Sequence, residues 1–254
     1  MHKRLLKNPS NDLLCQDASV FGYDTGMAEK RSLGMRAFLG AGFFGAVLAA
    51  AVCLSAWSFE FWEGWIFLAV FLASNAGITV YFLKKDPALI ERRMKRGPRD
   101  EKQKSQKLIQ RLIIIAFVAL VLFPGFDHRF GWSRLPVWAV AAGDALVALG
   151  MMLVFFVFQE NSFAASVIQV DAGQSVVSSG PYQYVRHPMY SGVLVTMLGV
   201  PLALGSLWGM LLYIPMVPLI IWRLTDEEKF LRKNLTGYEE YRMKTRYRLV
   251  PGAF

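Results

Sequence analysis

Long uncharged runs are the feature of this sequence that most constrains its fold. Residues 37–59 and 64–83 contain no Asp, Glu, Lys or Arg, and residues 188–222 form a third run of 35 uncharged residues. About 20 apolar residues in a helix cross the hydrocarbon core of a bilayer. Because 54% of the 254 residues are hydrophobic and only 19% are charged, we expect an all-α, polytopic integral membrane protein.

The longest run predicts a helical hairpin. As one helix it would be about 52 Å long, whereas the hydrocarbon core is about 30 Å thick. We therefore predict a turn at Gly205-Ser206 between two short limbs, residues 189–204 and 207–222. Earlier in the chain, four further membrane helices are predicted at residues 37–57, 62–83, 108–126 and 135–158. Pro124-Gly125 is expected to end the third of these, so the chain crosses the membrane about six times.

The helices divide the chain into three parts. Residues 1–36 are polar with scattered Leu and Phe, and we interpret them as an N-terminal extension. Residues 37–158 hold the first four helices and a basic link at residues 84–107. Residues 159–254 hold a polar loop, the predicted hairpin and a charged tail.

The distribution of charge predicts the orientation in the membrane. The link at residues 84–107 has ten basic and four acidic side chains, and residues 223–254 have eight and five, whereas the short link around Glu60 and Glu63 is acidic. Lys and Arg in short loops mark the cytoplasmic side. This placement of the net charge of +9 also argues against nucleic-acid binding. Cys15 and Cys53 form no metal-binding motif, and no metal site is predicted.

Two polar segments meet helix ends on the predicted cytoplasmic face. Arg186-His187 begins one limb of the hairpin, and Asp226, Glu227 and Glu228 follow the other. Side chains at these positions would be neighbours across the hairpin and would form a small polar pocket. The alternative is an interfacial anchor, in which basic and tyrosine side chains reach the headgroups and the acids are simply solvated.

The motifs in these segments resemble a known family. GPYQYVRHPMYSG (residues 180–192), RLTDEE (residues 223–228) and YEEYRMKTRYRLVP (residues 238–251) are similar to the isoprenylcysteine carboxyl methyltransferase family, which is related to the membrane phospholipid methyltransferases. The resemblance covers roughly residues 159–254. It implies a membrane enzyme that transfers a methyl group from S-adenosylmethionine, bound at the cytoplasmic face, to a lipophilic or lipidated acceptor from the bilayer.

The resemblance also implies site residues. Arg223, Glu227 and His187 would be catalytic, with Arg223 holding the acceptor. Contacts to S-adenosylmethionine would come from Gln169, Gln174, Ser175, Val176, Val177, Tyr182, His187, Pro188, Met189, Tyr190 and Glu227. The spacing from the acids to Tyr238 is one residue shorter than in eukaryotic members, so Glu227 and Glu228 could exchange roles.

The chemistry of S-adenosylmethionine fits these residue types. Its sulfonium and ammonium need an acid such as Glu227, its carboxylate needs donors such as Arg186 with His187, and its adenine needs an apolar slot such as Val176 with Val177. A carboxylate acceptor needs no general base, whereas an amine or thiol acceptor would need one.

Alternative functions remain open. Within the same chemistry, the acceptor could be a phospholipid amine or a thiol. Two other classes are a membrane sterol or enone reductase that uses NADPH and a non-catalytic membrane scaffold. For Arg223, the alternative to acceptor binding is an i,i+4 salt bridge with Glu227, worth a few tenths of a kcal/mol.

Overall fold

The computed structural model describes residues 10–94, 101, 104–164, 168, 170 and 173–254, and for residues 10–30 only the helix backbone. All regular secondary structure in these ranges is helical. The α-helices are α1 (Ser10–Ala56), α2 (Trp62–Lys85), α3 (Pro87–Met94), α4 (Lys104–Phe130), α5 (Val137–Glu160), α6 (Pro188–Ala203), α7 (Gly209–Tyr213), α8 (Met216–Asn234) and α9 (Tyr238–Lys244). A short 3₁₀ helix, Gly180–Gln183, precedes α6.

The polytopic all-α prediction is confirmed. The stretches long and apolar enough to cross a membrane are Arg31–Ala56, Trp62–Lys85, Lys104–Phe130, Val137–Glu160 and Gly209–Asn234. Helix α6 is also apolar but has only 16 residues, as expected for a short limb of the hairpin. Many large apolar side chains on these helices, such as Phe43 and Trp138, are exposed, which is typical of surfaces that face lipid.

The second limb of the hairpin, predicted at residues 207–222, is divided into α7 and α8 before Met216, where Pro215 lacks a backbone donor, and α8 continues to Asn234. Two further helix boundaries also differ from the sequence prediction. Helix α1 begins at Ser10, so the helix extends well into the segment that precedes residue 37. Helix α4 was expected to end at Pro124-Gly125, but it continues to Phe130. At Gly125 the α4 backbone lies directly against Ser55 and Ala56 of α1, with no room for a Cβ. Packing against α1 therefore supports the turn that Pro124 weakens by removing one backbone donor.

Glycines allow α5 and α6 to pack closely along their length. A Cβ on Gly150 would lie 2.6 Å from both the Gly192 carbonyl oxygen and the Thr196 backbone nitrogen. A Cβ on Gly199 would lie 2.6 Å from the Gly143 carbonyl oxygen. Gly143 and Gly150 are seven residues apart on α5, and Gly192 and Gly199 are seven residues apart on α6, so each pair lies on one face of its helix. Small residues at such positions let membrane helices approach each other, and this contact fixes the position of α6.

The predicted turn at Gly205-Ser206 is confirmed. Gly205 has a φ of +67°, a conformation that favours glycine, and it separates α6 from α7. The Ser206 hydroxyl donates a hydrogen bond to Asp127 Oδ2, and the Ser133 hydroxyl donates to the same oxygen at 2.7 Å. Through these two hydrogen bonds the buried Asp127 joins the hairpin turn, at Ser206, to the link between α4 and α5, at Ser133.

Candidate functional site

The hairpin brings the two predicted polar segments together at one end of the helix bundle. Arg186 and His187 lie just before α6, and the acids lie on α8, which continues without interruption from the apolar limb into the polar sequence. Arg186, His187 and Glu228 are all at least 93% buried. The structure therefore favours the polar-pocket interpretation over an exposed interfacial anchor.

Glu228 is the centre of a buried ionic cluster. Its Oε1 accepts a hydrogen bond from Arg186 Nε at 2.7 Å and lies 3.3 Å from His187 Nε2. Its Oε2 accepts from Arg248 Nε at 3.1 Å. Buried charges of this kind need partners, since removing one leaves the others without compensation. Glu228 thus has a structural task that joins α8, the start of α6 and the C-terminal tail.

The tail is fastened to the same place by backbone hydrogen bonds. The Arg186 and His187 N–H groups donate to the carbonyls of Tyr247 and Arg248, each at 2.9 Å. The Arg186 guanidinium also donates from Nη1 to the carbonyls of Thr245 at 2.9 Å and Arg246 at 2.6 Å. This contact explains why the tail motif accompanies the other two motifs: it holds Arg186 and His187 in position.

Glu227 faces a different direction from Glu228. Its Oε2 accepts a hydrogen bond of 2.5 Å from the Tyr190 hydroxyl, and that hydroxyl accepts a hydrogen bond of 3.0 Å from Arg223 Nε. Tyr190 therefore bridges Arg223 and Glu227, which are one helical turn apart on α8. Arg223 also donates from Nη1 to Gln106 Oε1 at 3.1 Å, and its Nη2 lies 4.0 Å from Glu101 Oε2.

Most of the residues that the family resemblance assigned to cofactor binding line one cavity. The volume of the cavity is about 790 Å³ when the space open to solvent is included. The predicted cofactor-binding residues that line it are Gln174, Ser175, Val176, Val177, Tyr182, His187, Pro188, Met189, Tyr190 and Glu227. Gln169 lies outside the described residues. Arg223 is not part of this lining and lies behind Tyr190. Glu228 is also absent from the lining, so only Glu227 of the two adjacent acids faces the cavity.

Sequence reasoning missed part of the cavity wall. Asn161, Phe163, Ala164 and Ile168 contribute from the loop after α5, and Leu231, Leu235, Tyr238 and Tyr241 contribute from the C-terminal part. The YEEY motif pointed to the last two tyrosines, but it gave them no role. For the loop after α5 the sequence carries no pattern that would place it over the site.

Two tyrosines organise the wall beside the 3₁₀ helix. The Tyr241 hydroxyl donates to the Tyr182 carbonyl at 2.8 Å, and the Tyr182 hydroxyl accepts from Asn161 Nδ2 at 2.9 Å. Burial raises the pKa of Tyr182 to about 12, because the charged phenolate is poorly solvated there. Tyr182 is therefore a neutral hydroxyl at physiological pH.

The cavity can hold a molecule that combines positive charge with a flat apolar part. Glu227 supplies the negative charge, and Val176, Val177 and Tyr182 supply an apolar and aromatic wall. Among the described residues, no group of three or more His, Cys, Asp or Glu side chains is placed to hold a metal ion. A carboxylate from Glu227 and a guanidinium from Arg186 beside apolar and aromatic side chains fit an organic ligand.

Comparisons with known proteins agree with the motifs. Residues 138–237 match the model of the phospholipid methyltransferase family. The chain is also similar to Protein-S-isoprenylcysteine O-methyltransferase of Schizosaccharomyces pombe, with 33% identity over 104 residues that cover 33% of this chain and 42% of the relative. The chain therefore matches less than half of that relative's length. Both similarities support the relationship to this group of membrane methyltransferases that the motifs indicated.

Proposed function

We propose that this protein transfers a methyl group from S-adenosylmethionine to a lipophilic acceptor. The acceptor group that we propose is a carboxylate, as in the isoprenylcysteine carboxyl methyltransferases. One observation carries the proposal: ten of the eleven residues expected to contact S-adenosylmethionine line a single cavity. These residues come from separate segments, residues 174–190 and α8, which only the fold brings together. The relatives named above support the methyltransferase class.

The cofactor pocket is assigned by charge and shape. Glu227 would face the sulfonium or ammonium of S-adenosylmethionine, and its position is set by the hydrogen bond from Tyr190 at 2.5 Å. Val176 and Val177 would pack on adenine. His187 lies at the cavity wall, and Glu228 and the tail determine its orientation.

Methyl transfer places few chemical demands on the protein. An acceptor carboxylate oxygen attacks the methyl carbon in line with the sulfur, the bond between carbon and sulfur breaks, and the products are a methyl ester and S-adenosylhomocysteine. The carboxylate is already ionised at neutral pH, so no proton needs to be removed. Alignment in a site shielded from water is the main contribution, and such orientation is worth about 7–11 kcal/mol in favourable cases.

Arg223 is proposed to hold the acceptor's carboxylate. It is buried, follows the membrane limb that ends at Trp222, and is joined to Glu227 through Tyr190. The Glu101 carboxylate lies 4.0 Å from Arg223 Nη2, and an acceptor carboxylate would bind the guanidinium beside this acid or in its place. The link through Tyr190 would couple the acceptor side of the site to the cofactor side.

An apolar groove offers the acceptor's lipid part a place beside Arg223. One wall is formed by α4, with Leu112, Ile115, Ala116 and Ala119. The other wall runs from α7 to α8, with Leu212, Pro215, Pro218, Leu219 and Trp222. These residues lie within stretches apolar enough to cross a membrane. A hydrocarbon chain in the groove would remain in the bilayer while its polar end reaches Arg223, which follows Trp222 directly.

The proposed site lies on the cytoplasmic face. Basic residues at the ends of α2 and α8, such as Lys84, Lys85, Arg232 and Lys233, are at the same end of the bundle as the cavity. The short link at the other end carries Glu60 and Glu63. By the positive-inside rule, the cavity therefore opens where S-adenosylmethionine is synthesised and used.

A phospholipid amine is the second candidate acceptor, because the matching family model is that of the phospholipid methyltransferases. An amine must lose a proton during methylation. His187 would be the base for that reaction, since it lines the cavity, whereas Glu228 is engaged by Arg186 and Arg248. A thiol acceptor would need a base in the same way.

The decisive experiment combines binding with turnover. Calorimetric titration of the detergent-solubilised protein with S-adenosylhomocysteine and with NADPH separates a methyltransferase from a reductase and from a scaffold. Transfer of labelled methyl groups to prenylcysteines, fatty acids, phosphatidylethanolamine and small thiols then identifies the acceptor.

Arg223→Lys tests the carboxylate assignment in the same assay. Lysine keeps the charge but loses the planar fork that binds a carboxylate through two hydrogen bonds, so turnover should fall while affinity for S-adenosylhomocysteine is retained. Methylation of phosphatidylethanolamine or a thiol alone, with a fully active Arg223→Lys variant, would overturn the carboxylate assignment.

A further inference from the structure

Helix α3 places two arginines against the wall of the cavity. This helix, Pro87–Met94, lies outside the region that matches the family model. Its Leu89 and Ile90 are buried in a cluster with apolar residues of α2 and α5. That packing directs the last turn of α3, which carries Arg92 and Arg93, toward the loop after α5.

Arg93 contacts residues that line the cavity itself. Its Nη1 donates to the Ala164 carbonyl at 3.2 Å and lies 3.7 Å from Met189 Sδ. The guanidinium carbon is 4.4 Å from the centroid of the Phe158 ring. Ala164 and Met189 both belong to the cavity wall, so a permanent positive charge lies at the edge of the proposed cofactor pocket.

The cavity therefore has charges of both signs. Glu227 from α8 and Arg186 from the segment before α6 line it, and Arg93 approaches from α3. The Tyr182 hydroxyl is within range of both: Glu227 raises the pKa of Tyr182 and Arg93 lowers it, as smaller effects beside that of burial. A carboxylate and guanidinium groups at one cavity suit a zwitterion.

The cation that the sequence pointed to, Arg186, also lines the cavity, but two of its nitrogens already have partners. Arg186 was expected to provide donors for the cofactor's carboxylate, but its Nε binds Glu228 and its Nη1 binds two carbonyls of the tail. These bonds are part of the buried cluster that holds the tail. Arg186 thus has a structural role in addition to its place in the wall, and Arg93 is a second guanidinium at the same wall.

We propose that Arg93 binds the carboxylate at the amino-acid end of the cofactor, while Glu227 faces the positive groups. Helix α3 would then be a part of the active site that the family match does not include. This inference rests on the proposed function, since it assumes an S-adenosylmethionine pocket.

Two ligands that differ at the amino-acid end provide the test. S-adenosylhomocysteine carries the carboxylate, whereas 5′-methylthioadenosine shares the adenosine and sulfur but lacks the amino-acid group. Arg93→Gln should weaken binding of S-adenosylhomocysteine about 10- to 100-fold, the range expected for one hydrogen bond to a charged group. Its affinity for 5′-methylthioadenosine should stay within about twofold of the unmodified protein, and Arg93→Lys should lose less than Arg93→Gln.

Arg92→Gln is the matched control. Arg92 lies on the same turn and donates to the carbonyl of Ser162, which is not part of the cavity wall, at 2.8 Å. Its guanidinium carbon lies 4.8 Å from the centroid of the Phe163 ring, so it meets the wall only through an apolar side chain. This variant should show no loss specific to the carboxylate, so that any change in affinity is the same for both ligands. Equal losses for both ligands in Arg93→Gln would mean that Arg93 only supports the fold, and unchanged binding of both would equally overturn the inference. Failure of the unmodified protein to bind S-adenosylhomocysteine would instead refute the proposed function itself.

Discussion

Glu227 and Glu228 are adjacent in sequence but should respond to mutation in opposite ways. Glu228 accepts hydrogen bonds from Arg186 at 2.7 Å and Arg248 at 3.1 Å and lies 3.3 Å from His187, and it is 5% exposed. Glu227 lines the cavity and accepts one hydrogen bond, from Tyr190. We therefore expect Glu228→Ala to destabilise the protein and Glu227→Ala to impair ligand binding.

The magnitude follows from burial. Removing one partner of a buried ion pair costs about 3–5 kcal/mol, because the remaining charge is left without compensation. In Glu228→Ala the uncompensated charge is that of Arg186, which is 7% exposed. For a protein of this size such a loss lowers the unfolding temperature by roughly 6–20 °C. Glu227→Ala removes one hydrogen bond to Tyr190 and should cost no more than about 1–2 kcal/mol.

The assay measures both properties on each variant in detergent. Thermal unfolding should separate Glu228→Ala from the unmodified protein and leave Glu227→Ala close to it. Titration with S-adenosylhomocysteine at a temperature where all variants are folded should show the larger loss of affinity in Glu227→Ala. Glu228→Ala should lose less affinity, because it acts on the ligand only through the orientation of His187. Glu228→Gln is a useful intermediate, because it retains an oxygen acceptor for Arg186 but not the charge.

Two outcomes would refute this reasoning. A Glu228→Ala variant that unfolds at the temperature of the unmodified protein would show that the ionic cluster does not support the fold. Loss of ligand affinity in Glu228→Ala with full affinity in Glu227→Ala would exchange the roles of the two acids.

The remaining predictions concern helix packing, orientation and the cavity wall. Gly150→Ala should destabilise the protein by about 1–3 kcal/mol through overpacking, because its Cβ would meet α6 backbone atoms at 2.6 Å. The change should also weaken ligand binding. Gly77→Ala is the control: a Cβ there has nothing within 4 Å, so this variant should be neutral or stabilising in an unfolding assay. A cysteine at Asn234 should react with impermeant reagents only from the cytoplasmic side and one at exposed Arg134 only from outside, and external labelling at Asn234 would contradict the proposed orientation. Tyr241→Phe removes a hydrogen bond of 2.8 Å to the 3₁₀ helix and should weaken S-adenosylhomocysteine binding a few-fold, whereas unchanged affinity would show that this part of the wall does not contact the ligand.

Membrane insertion and the main helices were predictable from the sequence, because they depend on local composition. A run such as residues 64–83 contains no charge, so its helix, Trp62–Lys85, lies within two residues of the prediction at each end. The hairpin followed from length alone, since 35 uncharged residues exceed one crossing. Where a neighbouring helix intervened, as at Gly125 against α1, the local signal at Pro124 gave the wrong end for α4.

The motifs also identified most of the cavity wall, since residues 174–190 and Glu227 carry side chains whose chemistry fits one ligand. Their pattern could not assign separate tasks to Glu227 and Glu228, because the difference is one of direction on a helix whose neighbours lie far away in sequence. Nor could it connect Arg93 with Ala164 and Met189, which are 71 and 96 residues away. Local composition determined which segments are helical and apolar, whereas contacts between distant segments decided which polar groups are buried together, and only the tertiary structure contains those contacts.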